Sequence, residues 1–192
     1  MTTTASPLTI PIGISRDGEQ LTIDLRQDHG VLIMGVAGSG KTDLLRRMLG
    51  ALKSQLGDGQ LFHAEGIAAA HAEMERRLQN PSLVTGPAVL ALDPGHTTET
   101  VNAARDIVIK GRAVDFHLVL TTQAVLGSTA SVLSQMPVRI VVGPPSPLFA
   151  HAFSDQEWEQ MVAAVTSERF SGALVNAADD LTPFTALPRE IH

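Results

Sequence analysis

The chain of 192 residues contains no cysteine, and this absence narrows the kinds of protein it can be. A disulfide framework is excluded, and so is a zinc site built from thiolates. No apolar run approaches the roughly 20 residues that a membrane-spanning helix needs. Residues 1–7 show neither the basic region nor the apolar region of a secretory signal peptide. We therefore expect a cytoplasmic protein with no membrane span.

Basic residues are also scarce. Fourteen Lys and Arg face twenty Asp and Glu, which gives a net charge of −6, and only three of the basic residues are lysines. Proteins that bind nucleic acid through its phosphates usually show a basic stripe. The densest basic spots are the pairs 46–47 and 76–77, and a solvated helix face explains such pairs more often than nucleic acid does. The seven histidines show no spacing typical of metal ligands.

Residues 35–42 read G-V-A-G-S-G-K-T, which is the phosphate-binding P-loop motif. Its glycines let backbone N–H groups turn inward around phosphate oxygens, while the lysine reaches the β- and γ-phosphates and the threonine hydroxyl binds Mg²⁺. An apolar run at 31–34 precedes the motif and helical apolar spacing follows at 43–49, so the phosphate would lie at a helix N-terminus. The motif predicts binding of ATP or ADP with Mg²⁺ by Gly35, Val36, Ala37, Gly38, Ser39, Gly40, Lys41, Thr42 and Asp43.

Strand and helix patterns alternate along the rest of the chain. The segments 8–14 and 21–25, joined by a turn, predict an N-terminal β-hairpin. Further strands are predicted at 31–34, 60–63, 88–93, 117–123, 138–143, 172–176 and 184–187, and helices at 43–56, 64–78, 98–110 and 154–165. This order predicts one α/β domain with a mostly parallel sheet and helices on both faces. Ligands of such sheets bind at the carboxyl ends of the strands, where Gly35, Asp93 and Gln123 fall.

Asp93 ends the apolar run at 88–92 and is the candidate Walker B carboxylate. A rigid strand that ends in aspartate can deliver one oxygen ligand to Mg²⁺ beside a P-loop. The alternative is an ordinary turn or cap. The predicted Mg²⁺ ligands are therefore Thr42 and Asp93, and Lys41 and Asp93 are predicted catalytic residues.

The chain resembles the motor domain of FtsK/SpoIIIE-type DNA translocases over about residues 8–176. The matching stretches are 11–25, similar to the entry hairpin; 73–77, similar to the helix before the Walker B strand; 111–123, similar to the helix and sensor strand; and 136–140, similar to the strand that follows. The resemblance implies a RecA-like P-loop NTPase fold, with a hairpin at 1–28 and a core at 29–192. It also implies an oligomeric motor, with double-stranded DNA or a larger FtsK-like ATPase as partner.

The resemblance assigns further residues. Gln123 matches the sensor that positions water or reads the γ-phosphate, although a polar strand end is the alternative. Arg112 and Arg139 are candidates for an arginine finger that acts on a neighbouring subunit. The predicted catalytic set is thus Lys41, Asp93, Gln123 and Arg139.

One departure from the family affects the expected chemistry. The family follows its Walker B aspartate with a glutamate that polarises the attacking water, and here that position is Pro94. Glu99 could substitute, but it also reads as an ordinary residue of a helix start. We expect MgATP binding with weak hydrolysis in a motor domain. The alternatives are a regulatory or structural subunit of a secretion or DNA-transfer ATPase that binds nucleotide without hydrolysing it, and a small-molecule kinase.

Overall fold

A nine-stranded sheet forms the centre of the structure, a computed structural model that describes residues 6–93, 98–125, 130–133, 136–165 and 171–186. The strands lie side by side in the order β2-β1-β9-β8-β7-β3-β6-β5-β4. Their bounds are β1 Thr9–Ser15, β2 Gln20–Asp24, β3 Gly30–Met34, β4 Leu61–Phe62, β5 Ala88–Leu92, β6 Phe116–Thr122, β7 Val138–Val142, β8 Ser171–Val175 and β9 Leu181–Ala186. All predicted strands are therefore present, with ends shifted by up to three residues.

The sheet is mixed rather than mostly parallel. Among the described strands, β7, β3, β6, β5 and β4 pair in parallel, whereas β2, β1, β9, β8 and β7 pair antiparallel. The predicted hairpin is confirmed, and β1 joins it to the rest of the sheet through β9. Only five residues separate β8 from β9, and so short a connection can join only antiparallel neighbours. Parallel order thus holds for the half of the sheet that carries the P-loop.

Helices cover the parallel half on both faces, as the alternating pattern predicts. They are α1 Leu25–Asp28, α2 Lys41–Lys53, α3 Ile67–Gln79, α4 Thr98–Lys110, α5 Ala130–Leu133 and α6 Asp155–Ala164. Short 3₁₀ turns lie at Ala64–Gly66, Pro81–Leu83, Gly111–Val114 and Pro147–Ala152. None of the helices in the described ranges is long and apolar enough to cross a membrane.

Every residue of β3, β5, β6 and β7 is buried, because apolar clusters cover both faces of these strands. One cluster joins α2 and the hairpin to the sheet through residues such as Leu44, Met48 and Val119. The other joins α3 and α4 to the opposite face, for example through Met74 and Ile107. The apolar cover on both faces therefore holds these four strands in the interior of the fold.

The basic pair on α3 stabilises the fold. Arg77 is buried and donates hydrogen bonds to the Glu73 carboxylate and to the carbonyl oxygens of Gly86 and Val114. Arg76 donates twice to the same carboxylate, with both distances 2.7 Å. These two hydrogen-bonded guanidinium groups lower the pKa of Glu73 to about 2, Arg76 contributing most. The pair therefore does not form a free basic patch.

Candidate nucleotide-binding site

The P-loop connects the buried strand β3 to helix α2, as the motif requires. Gly38 and Gly40 have φ values of +76° and +103°, in the left-handed region that glycine adopts at no steric cost. Helix α2 begins directly after Gly40, and no side chain caps it within the described part of the chain. Backbone N–H groups in the first turn of a helix lack helical partners and favour an anion. The loop can therefore present such groups to a phosphate.

The ends of β6 and β7 close around the loop. The Gly35 N–H donates to the Thr122 carbonyl oxygen at 3.3 Å. A Cβ at Gly35 would lie 2.6 Å from the carbonyl oxygen of Val142 and 2.3 Å from the Ser39 hydroxyl. Gly143, with φ +75°, is equally tight, since its Cβ would lie 2.9 Å from that of Ser39. The Ser39 side chain and the backbone at the end of β7 thus pack closely against these two glycines.

Lys41 is the charged residue at the centre of this loop. Its side chain is only 5% exposed, and Nζ donates a hydrogen bond of 2.9 Å to the Val36 carbonyl oxygen. Burial lowers the pKa of Lys41, and the nearby Asp93 carboxylate acts in the opposite direction. A phosphate group stabilises a poorly solvated ammonium group more than it stabilises an exposed one, because their attraction is screened less by water.

Asp93 lies at the same edge of the sheet, directly after β5. Strands β5 and β6 are parallel and pair Leu92 with Leu120, so the next residues, Asp93 and Thr121, lie side by side. The Thr121 hydroxyl donates to Asp93 Oδ1 at 2.8 Å. The structure therefore brings Lys41 and Asp93 together, as predicted, and adds Thr121, which the sequence analysis missed. Its only sequence signal is a polar residue near the end of an apolar strand.

The residues present fit a magnesium ion bound with nucleotide. Thr42, in the first turn of α2, and Asp93 offer hydroxyl and carboxylate oxygens, the ligand type that Mg²⁺ prefers. The described residues contain no cluster of three or more His, Cys, Asp or Glu side chains that could hold a metal alone, and Mg²⁺ is usually bound by one or two carboxylates plus substrate phosphates. The buried Ser39 hydroxyl has no partner among the described residues, which suits a site that a phosphate group completes.

The other residues predicted at this edge are Gln123, Pro94, Glu99 and Asp43. Gln123 directly follows β6 and is exposed, so it lies at the carboxyl edge where a sensor is expected. Pro94 and the side chain of Glu99 fall outside the described residues. The Asp43 carboxylate, in the first turn of α2, lies 3.5 Å from the Arg46 guanidinium.

Arg139 is not brought to the P-loop. It is 8% exposed, pairs in register with Leu32 in the middle of β3, and donates to the carboxylates of Glu157 and Asp179, each at 2.7 Å. A third bond reaches the Ala152 carbonyl oxygen. Its charge is therefore used inside the chain, and a role toward another subunit would break all these bonds. We leave Arg139 out of the proposed site.

Arg112 is exposed in the turn Gly111–Val114 that precedes β6. This turn lies at the amino edge of the parallel strands, opposite the P-loop. The structure therefore does not bring Arg112 to the P-loop of its own chain, and its role toward another subunit stays a prediction.

Comparison with known proteins shows similarity at the level of fold. No family model matches the chain, and no curated protein matches its sequence. The cytoplasmic domain of the type VII secretion ATPase EccC from Thermomonospora curvata superposes with a TM-score of 0.71 at 19% identity, over 97% of this chain and 30% of that one. The pCW3 conjugation coupling protein TcpA, solved with ATPγS, superposes with a TM-score of 0.67 at 16% identity, over 96% of this chain and 67% of that one.

A viral protein is similar along nearly its whole length. The genome packaging NTPase B204 of Sulfolobus turreted icosahedral virus 2, solved with ATPγS, gives a TM-score of 0.61 at 14% identity, over 84% of this chain and 98% of that one. The chain thus spans less than a third of EccC, two thirds of TcpA and nearly all of B204. At these identities the similarity shows a shared α/β fold, the one found in the EccC and TcpA structures and in B204.

Proposed function

We propose that the chain binds ATP or ADP with Mg²⁺ in the P-loop and works as the ATPase domain of a transfer or secretion machine. One observation carries this proposal: Lys41 is buried inside a glycine-built loop at a helix N-terminus, at the same sheet edge as Asp93. The names of the similar structures support it, since they describe a secretion ATPase, a conjugation coupling protein and a genome packaging NTPase.

Each residue of the site has a proposed role. The backbone N–H groups of residues 36–42 would hold the phosphates, and Lys41 would contact the β- and γ-phosphates. Thr42 and Asp93 would hold the metal, which neutralises phosphate charge when bound. Gln123 would orient the attacking water from the end of β6.

We further propose that intrinsic hydrolysis is slow. General-base assistance contributes about 10²–10⁴-fold to a rate, and Pro94 stands where the family carries its glutamate. A nucleotide-binding subunit with a regulatory role is therefore the second candidate.

Double-stranded DNA is a proposed partner of the assembled machine rather than of the pair Arg76–Arg77 of this chain. Arg77 is buried, Arg76 is bound to Glu73, and the chain carries a net charge of −6. DNA-stimulated turnover, compared with turnover in the absence of DNA, tests this partner.

Calorimetric titration with ADP and with an unhydrolysable ATP analogue tests the proposed function. We expect sub-millimolar binding by the wild type and loss of binding in Lys41→Ala. Lys53→Ala is the matched control, because Lys53 lies at the other end of the same helix, and it should bind normally. Failure of the wild type to bind nucleotide would overturn the proposal.

A further inference from the structure

We infer that Thr121 is a positioning residue that fixes the orientation of Asp93 for magnesium binding; this inference rests on the proposed function. The Thr121 hydroxyl donates to Asp93 Oδ1 at 2.8 Å, across the parallel pair β5–β6. The bond engages one carboxylate oxygen and leaves Oδ2 for another ligand.

Thr121 lies in apolar surroundings, where a hydroxyl group is not expected. Side chains two apart in a strand share a face, so Thr121 faces the same side as Val119, which packs in the α2 cluster. Ile33 is its register partner on β3, and Thr121 itself is 0% exposed. Valine has the same shape and would suit this apolar surrounding, whereas a buried hydroxyl costs free energy unless it is hydrogen-bonded. The bond to Asp93 supplies that partner.

The strands on either side of β6 hold the donor of this hydrogen bond in place. Thr121 belongs to a central strand that pairs with β3 on one side and β5 on the other. Asp93, by contrast, is exposed just beyond the end of β5. The hydrogen bond therefore joins a buried donor on a central strand to an exposed carboxylate at the end of its neighbour.

Orientation matters because Mg²⁺ demands near-ideal octahedral geometry. Groups that hydrogen-bond to metal ligands orient them, and loss of such a group typically costs about 10- to 100-fold in metal affinity. Removal of the Thr121 hydroxyl should therefore weaken the effect of Mg²⁺ on nucleotide binding by about that factor. Binding in the absence of Mg²⁺, which depends on the P-loop, should remain.

The test measures the affinity of a fluorescent ADP at increasing Mg²⁺ concentrations, and in EDTA. Thr121→Val should raise the Mg²⁺ concentration for half-maximal effect about 10- to 100-fold and leave the affinity in EDTA unchanged. Thr121→Ser, which keeps the hydroxyl, should restore the response. Thr182→Val is the control, since Thr182 lies on β9, which β8 and β7 separate from β3, and this variant should respond to Mg²⁺ like the wild type.

The outcomes separate this inference from the proposed function. If the wild type binds no nucleotide, the proposed function fails. If the wild type responds to Mg²⁺ and Thr121→Val responds equally, Asp93 needs no positioning and the inference is overturned. In the Asp93→Asn background, Thr121→Val should have no further effect on the Mg²⁺ response, and an additive effect would also overturn it. Should Thr121→Val not fold, Thr121→Cys offers a similar size with a weaker donor, and it must show an intermediate response.

Discussion

A single glycine outside the motif, Gly143, keeps space open beside the P-loop. It has φ +75°, and a Cβ there would lie 2.9 Å from the Cβ of Ser39. Gly143→Ala should therefore displace Ser39 and the loop around it. Overpacking costs about 1–3 kcal/mol, which corresponds to a loss of affinity of roughly 5- to 150-fold if that cost falls on the bound state. Calorimetry with ADP measures that loss.

Gly18 provides the control for backbone strain. It also has a positive φ, +84°, but a Cβ there would meet nothing within 4 Å. Both alanine variants should lose thermal stability, because a left-handed conformation costs a residue with a Cβ about 1–2 kcal/mol. Only Gly143→Ala should lose affinity for ADP. Equal affinities in the two variants would contradict the role given to Gly143.

Pro94 is the residue on which the expected slow turnover depends. Pro94→Glu should raise the rate of ATP hydrolysis if the rest of the centre is intact, because it supplies the base that the family carries. The rate of phosphate release under saturating ATP measures this. Pro94→Gln is the control, since it removes the proline ring without adding a base. Rapid hydrolysis by the wild type, on the order of 10 per second, would show that another group serves as base, with Glu99 the first to mutate.

At the scale of single residues, features set by neighbours in the sequence could be predicted, whereas contacts between strands could not. The motif at 35–42 is local, so its positive-φ glycines and its place before a helix could be predicted from residue types alone. Thr121 and Gly143 approach the site only because β6 and β7 both pair with β3. Arg139 illustrates the same limit, since its carboxylate partners come from α6 and from the turn after β8.

At the scale of elements, a stacked pair of histidines connects the junction between α1 and β3 with strand β6. The rings of His29 and His117 lie 5.7 Å apart, and the buried His117 Nε2 lies 2.9 Å from Asp115 Oδ1. Asp115 also accepts from Arg26 on α1 at 3.0 Å. Burial, followed by the charges of Arg112 and His117, lowers the pKa of His29, against the opposing effect of Asp115 and Asp24.

This junction should make stability depend on pH. Since the pKa of His29 is lower in the folded state, the unfolded chain binds more protons below its ordinary value of about 6.5. Stability should therefore fall as pH drops from about 6.5 through the folded-state pKa. His29→Asn, which tolerates the observed φ of +60°, should lose less stability between pH 7 and pH 5 in urea titrations. His151→Asn, at an exposed histidine, should behave like the wild type, and parallel losses in all three proteins would disprove this effect.

Local signals predicted the elements well and their arrangement only in part. The helix predicted at 98–110 is observed with the same bounds, and α6 begins at the predicted capping box of Ser154 and Glu157. These signals act within a few residues. The side-by-side order of β9 with β1, by contrast, depends on pairing between strands about 170 residues apart, which no local pattern encodes.

At the scale of the whole molecule, the two edges of the parallel strands carry different chemistry. The carboxyl edge holds the P-loop, Asp93 and Gln123, whereas the amino edge holds Arg112 and the Asp115–His117 pair. The residues of the carboxyl edge could be predicted from the sequence, because each of them lies at or just after the end of a predicted strand. It could not place Arg112 relative to the loop, because that placement depends on the direction of β6 within the sheet.

We expect this two-edged arrangement to support assembly in the presence of ATP. If the exposed Arg112 completes the site of a neighbouring subunit, copies of the chain, or a copy and a larger FtsK-like partner, should associate when the ATP analogue is bound. Arg112→Ala should keep nucleotide binding but lose hydrolysis, since arginine fingers contribute about 10³–10⁵-fold to turnover. Light scattering with ATPγS and single-turnover hydrolysis of labelled ATP measure the two effects.

Mixing two inactive variants gives the decisive form of this test. An Arg112→Ala subunit keeps Lys41, and a Lys41→Ala subunit keeps Arg112, so a mixed assembly contains some complete sites if the arginine acts in trans. Hydrolysis should therefore recover in the mixture, although neither variant is active alone. If Arg112 acts within its own subunit or only in the fold, the mixture stays inactive. A protein that remains monomeric with ATPγS and finds no partner in pull-downs would contradict assembly itself.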